Sequence, residues 1–99
     1  MKYTRTDNGN ETVLAIEGTL DAVTAPELRA VVDDLVNEAR KEVTLELSAL
    51  RLIDSSGVGV IVSLFKRVRA HGGNVRIVGL RDQPRAIFRL LRLDRVFPV

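Results

Sequence analysis

Ninety-nine residues, 45% of them hydrophobic and with a formal net charge of +2, are one domain's worth of chain with little room for a second core. The chain has no cysteine, which excludes disulfides and thiolate metal sites and fits a reducing compartment, expected to be the cytoplasm. Met1-Lys2-Tyr3-Thr4-Arg5 does not begin a signal peptide, and no apolar run reaches the roughly 18–20 residues that span a bilayer, so no membrane partner is expected.

Tyr3–Asp7 and Val13–Glu17 read as strands around a turn at Asn8-Gly9-Asn10, because Asn and Gly tolerate positive φ. Thr24-Ala25-Pro26-Glu27 then fits a capping box, with Thr24 as the cap and Glu27 reaching back to it. Leu28, Val31, Val32, Leu35, Val36 and Ala39 mark the buried face of the helix that follows, leaving Arg29, Asp33, Asp34, Glu38 and Arg40 to water.

Val43, Leu45 and Leu47 alternate with polar residues as a half-buried strand does, and the apolar character continues to Ile53. A second helix is expected from about Ser56 to His71, with Val58, Ile61, Val62, Phe65 and Val68 inward and Gly72-Gly73 ending it. Val75, Ile77 and Val78 form the next strand. Pro84 opens a third helix to about Leu91, with Ile87, Leu90 and Leu91 inward and Arg85, Arg89 and Arg92 on one outer face. Val96-Phe97-Pro98-Val99 reads as a last edge strand.

The order β-β-α-β-α-β-α-β predicts a single α/β domain over residues 1–99. Its sheet should be mixed, because strand–helix–strand units give parallel neighbours and the opening hairpin gives antiparallel ones.

Enzymatic chemistries find little support. His71 is the only histidine, sits at a helix end, and suits a polar cap better than a catalytic base. No Gly-x-Ser-x-Gly elbow is present. Asp33-Asp34 offers no metal-ligand spacing, and Gly57-Val58-Gly59 lacks both the third glycine of a dinucleotide fingerprint and the lysine of a phosphate loop. No cofactor or metal is therefore expected. The arginines of the third helix lack an aromatic stacking platform, which argues against nucleic acid.

What remains is Asp54-Ser55-Ser56-Gly57-Val58-Gly59, the corner between an apolar strand-like run and an apolar helix. Read structurally, Asp54 or Ser55 caps the helix, worth about 0.5–2 kcal/mol. Read functionally, a hydroxyl at a helix start is a place where added phosphate meets free N–H groups and the positive end of the helix dipole. A phosphate brings roughly −1.5 to −2 charges, enough to alter a binding surface without unfolding the domain.

These residues carry a resemblance. Gly18-Thr19-Leu20-Asp21 with Ala25 and Leu28, then Ile53-Asp54-Ser55-Ser56-Gly57-Val58-Gly59-Val60, then Gly72-Gly73-Asn74-Val75-Arg76-Ile77-Val78, resemble the small single-domain anti-sigma-factor antagonists of the STAS family. The similarity runs from about residue 3 to 98. It implies a partner switch: the unphosphorylated domain binds a serine-kinase-type anti-sigma factor, phosphorylation releases it, and a serine phosphatase restores it. In the family the modified hydroxyl directly follows the aspartate, which implies Ser55, with Ser56 beside it. Asp21, Asp54, Ser55, Ser56 and Gly57 are the implied partner-binding residues. Many relatives continue into a C-terminal helix, whereas this sequence ends at Val99. The alternatives are a partner switch that controls secretion, and an unphosphorylated STAS scaffold or accessory subunit of a signalling complex or transporter, against which the serine after Asp54 argues.

Overall fold

The computed structural model describes residues 1–97. Gly9 adopts φ +61° at the tip of a hairpin, which joins β1 (Lys2–Asn8) to β2 (Glu11–Leu20) in antiparallel register, Asn8 opposite Glu11 and Lys2 opposite Glu17. The chain continues through α1 (Ala25–Asn37), β3 (Glu42–Glu46), β4 (Leu50–Ile53), α2 (Ser55–Ala70), β5 (Asn74–Val78) and α3 (Asp82–Leu90), and a 3-10 turn follows at Leu93–Arg95.

The sheet is mixed, as the element order predicts. Its path is β1-β2-β3-β5, with β3 parallel to both β2 and β5. Between α1 and α2, where the expected order has one strand, the structure has two, however. A turn closed by the Leu50 N–H on the Leu47 carbonyl separates them, and β4 pairs in parallel with the far end of β2, Leu20 opposite Ile53. The shift is accommodated by a bulge at Gly18/Thr19, where Gly18 has φ +88° and donates its N–H to the Ala49 carbonyl.

Period-two patterning decides which face is covered. Leu14, Ile16, Val43, Leu45, Val75 and Ile77 are buried with Leu28, Val32 and Leu35 of α1 and Val60, Ile61, Leu64 and Val68 of α2. Val13 and Val78, on the other face, remain 39% and 38% exposed, so the domain is two-layered with one open sheet face.

Several side chains depart from the sequence reading. Thr24 makes no capping bond. Its hydroxyl instead donates to the Thr19 carbonyl and accepts the Asp21 N–H, so the capping box does not form. Ala39 lies beyond the end of α1, exposed, with φ +54°. Arg40 is not left to water: it donates to the hydroxyl of fully buried Thr12 and to the Gly9 and Glu11 carbonyls, tying the hairpin turn to the end of α1.

On α3 the inward residues are Pro84 and Phe88, with Ile87 half-buried, while Leu90 and Leu91 are 76% and 50% exposed. Phe88 sets this phase by packing 6.0 Å from Phe97, which in turn meets the Phe65 ring edge-on at 4.7 Å. Arg92 has left the helix in a left-handed conformation, so it shares no helical face with Arg85 and Arg89. Val96 and Phe97 form a turn and bend; the rest of the expected last strand, residues 98 and 99, lies outside the described residues.

Candidate functional site

Asp54 ends β4 in an extended conformation (φ −115°, ψ −174°) and caps α2. Its Oδ1 accepts the Gly57 N–H at 3.1 Å, satisfying one of the amides that a helix start leaves without a partner. Its Oδ2 accepts the Ala22 N–H at 3.3 Å, across 32 residues of sequence. One carboxylate therefore holds both the start of α2 and the loop between β2 and α1. The Asp54 N–H itself continues the ladder onto the Leu20 carbonyl at 3.1 Å.

Asp21 organises that loop from the other side. Its Oδ1 accepts the Val23 N–H at 3.0 Å and the Thr24 N–H at 3.1 Å. The Thr24 amide foremost, then the Val23 amide and the Thr24 hydroxyl, hold the Asp21 carboxyl below the usual carboxylate range. The structure thus brings Asp21 and Asp54 to a common loop, joined through Ala22.

Ser55 is the first residue of α2, one position earlier than the expected helix start, and it is exposed; Ser56 is half-buried behind it. Gly57, expected at the docking surface, is instead buried. A Cβ built there would sit 2.7 Å from Leu20 Cγ, 2.8 Å from the Leu20 carbonyl oxygen and 2.9 Å from Ile53 Cγ1. Its lack of a side chain lets α2 start directly on the ends of β2 and β4.

The residue that sequence reasoning missed is Gln83. From the first turn of α3 it accepts the Ile53 N–H on Oε1 and donates Nε2–H to the Ile53 carbonyl, both at 2.9 Å. Its amide thereby pairs with β4 as another strand would, immediately before Asp54. Nothing in the local sequence announces this, because the partner is main chain 30 residues away.

At the other end of α2, His71 is the C-cap residue, and its Nε2 lies 2.9 Å from the Arg40 carbonyl. A carbonyl only accepts, so Nε2 carries the proton, and the ring has the structural role its position suggested. Among the described residues no cluster of three His, Cys, Asp or Glu side chains could hold a metal, and no helix is long and apolar enough to cross a membrane. Within the Asp54–Gly59 corner Asp54, Ser55 and Gly59 are exposed, while Gly57 and Val58 are buried beneath them.

Comparison with known proteins identifies the family and the fold. The STAS domain pattern matches residues 2–99. The anti-sigma-B factor antagonist of Bacillus subtilis is 27% identical over 92 residues, covering 93% of this chain and 84% of that protein. An anti-sigma factor antagonist from Mycobacterium paratuberculosis has the same fold, with a TM-score of 0.88 at 24% identity over 98% of this chain and 82% of that one. Phosphorylated SpoIIAA, a Bacillus cell fate determinant, also shares the fold, with a TM-score of 0.78 at 19% identity over 95% of this chain and 86% of that one. With a match to the STAS domain spanning residues 2–99, the chain belongs to the STAS-domain family.

Proposed function

We propose that this chain is an anti-sigma-factor antagonist whose unphosphorylated form binds a serine-kinase-type anti-sigma factor, and that phosphorylation of Ser55 ends that binding. The observation that carries the reading is the exposed Ser55 at the first position of α2, directly after a carboxylate already committed to two backbone amides. In the transfer step the Ser55 Oγ–P bond forms as the bond from the γ-phosphorus of ATP to its bridging oxygen breaks; ADP leaves and the hydroxyl proton passes to a base of the kinase.

A phosphate on Ser55 sits at the positive end of the α2 dipole, next to backbone N–H groups of the first turn, so the fold tolerates it. The partner does not, because up to two new negative charges beside Asp54 must then be desolvated in the interface. Asp21, Asp54 and Ser56 border the same surface and are the proposed partner contacts. Hydrolysis of the phosphoserine by a serine phosphatase resets the switch in the cytoplasm. The relative whose name specifies phosphorylation, SpoIIAA, supports the reading by carrying a phosphate on the same fold.

The test is incubation with an anti-sigma kinase of the same host and ATP, followed by site mapping. Label on Ser55, a folded Ser55→Ala that still binds, and a weakly binding Ser55→Asp are the expected results. Label confined to other residues, or equal affinity of the two variants, would overturn the proposal.

A further inference from the structure

The two glycines of the corner have different reasons to be there. Gly57 is fixed from inside, since a Cβ would collide with Leu20 and Ile53. Gly59 is exposed, and a Cβ built on it would meet nothing within 4 Å. Its φ is not positive either, so no backbone conformation demands glycine at this position. Glycine is among the least favourable residues inside a helix, and Gly59 lies well within α2. Within this molecule the residue therefore costs stability and gains neither packing nor conformation.

A glycine also permits another backbone to approach closely. At about 100° per residue, positions 55, 59, 62 and 66 fall within roughly 40° of one helical line. Ser55, Gly59 and Lys66 are exposed along that line and Val62 is half-buried. The bare backbone at Gly59 thus lies one turn above the Ser55 hydroxyl, on the same face. Serine has a short side chain, and phosphoryl transfer needs its oxygen within about 3–3.5 Å of the phosphorus. The helix surface beside Ser55 must then enter van der Waals contact with the enzyme that modifies it.

The geometry points to Gly59 as a partner-contact residue: the main chain of the serine kinase lies directly against α2 there while Ser55 occupies its active site. The inference rests on the proposed function and adds the contact that admits the kinase. The test measures ATP-dependent labelling of Ser55, by the kinase that modifies the unsubstituted protein, alongside thermal unfolding.

Gly59→Ala should raise the unfolding midpoint by a few degrees, as alanine favours helix, yet lower kcat/KM for labelling at least ~10-fold, chiefly through KM. Gly59→Leu should lower it further. Labelling of Gly59→Ala at the unsubstituted rate would overturn this inference while leaving Ser55 as the modified residue. A lowered midpoint would also overturn it, by showing that Gly59 serves internal packing. Failure of the unsubstituted protein to be labelled on Ser55 by any anti-sigma kinase of its host would instead overturn the reading beneath it.

Discussion

Gln83 and Ile53 are joined twice, the side-chain amide of one accepting from and donating to the main chain of the other at 2.9 Å each way. The bond pair closes the side of β4 away from β2 and anchors α3 to the residue before Asp54. Gln83→Leu leaves both Ile53 groups without their partner, at about 1–3 kcal/mol for each group that water cannot reach. Gln83→Glu keeps an acceptor for the N–H but sets a carboxylate against the carbonyl, and protonation would restore a donor. Urea unfolding should therefore find Gln83→Leu destabilised at every pH, and the deficit of Gln83→Glu shrinking as the pH is lowered. A pH-independent deficit would show that the amide geometry does not govern stability here.

Gly57→Ala should be destabilising where Gly59→Ala is not. The added methyl meets the Leu20 carbonyl, which is fixed by the Asp54 N–H, so backbone must move to admit it. Overpacking of this kind costs about 1–3 kcal/mol, against roughly 1 kcal/mol regained from the helix preference of alanine. A net loss of up to about 2 kcal/mol is expected, read as a lower denaturant midpoint. No change in that midpoint would mean that α2 can tilt freely off β2 and β4.

How far the sequence discloses the structure depends on the reach of each interaction. The α1 face is legible because Leu28, Val31, Val32 and Leu35 repeat at helical spacing, and the Asp54 cap because its partner amide is three residues away. The split between β3 and β4 is not. It depends on Glu46 accepting the Ser48 N–H and on Gly18 turning β2 to meet Ala49, and neither is a pattern of hydrophobicity. On α3 apolar residues occur on most sides, so the buried side is chosen by what Phe88 finds to pack against. The same limit hides Gln83, whose partner is main chain 30 residues away.

The loss of stability on acidification should depend on Arg5. Its guanidinium donates to both carboxylate oxygens of Glu38, at 2.8 and 3.0 Å, and to both of Asp7 at 3.1 Å. Both carboxyls are held below their ordinary values, with Arg5 the first cause in each case and the Thr12 hydroxyl adding to it at Asp7. Because the folded values are depressed, the contribution is complete above the unfolded values of about 3.9–4.3 and is lost as pH falls through the folded ones. Thermal midpoints of Arg5→Met should therefore lie below the parent's at pH 7, by a small margin because exposed pairs contribute little, and fall less steeply between about pH 5 and pH 2, so that the two curves converge in acid. Parallel curves would refute the assignment. Asp21, held down by backbone amides, should leave part of the acid slope in both proteins.

The ends of α1 and α2 provide an internal comparison. In α2 the Gly73 N–H reaches the Val68 carbonyl at 2.9 Å and the Gly72 N–H the Arg69 carbonyl at 3.1 Å, with Gly72 at φ +85°. In α1 the Arg40 N–H reaches Leu35 and the Ala39 N–H reaches Val36, both at 3.0 Å, so the same closing motif is built with alanine at φ +54°. A left-handed L-residue costs about 1–2 kcal/mol, and glycine returns about 0.4–1 kcal/mol of that through the freer unfolded chain. Ala39 is exposed, so no packing is lost with its methyl. Ala39→Gly should thus stabilise by about 0.5–1 kcal/mol. Gly72→Ala, where nothing lies within 4 Å of the new Cβ, should destabilise by a similar amount through conformation alone. Denaturant midpoints moving in opposite directions at constant slope would bear this out, and movement in the same direction would refute it.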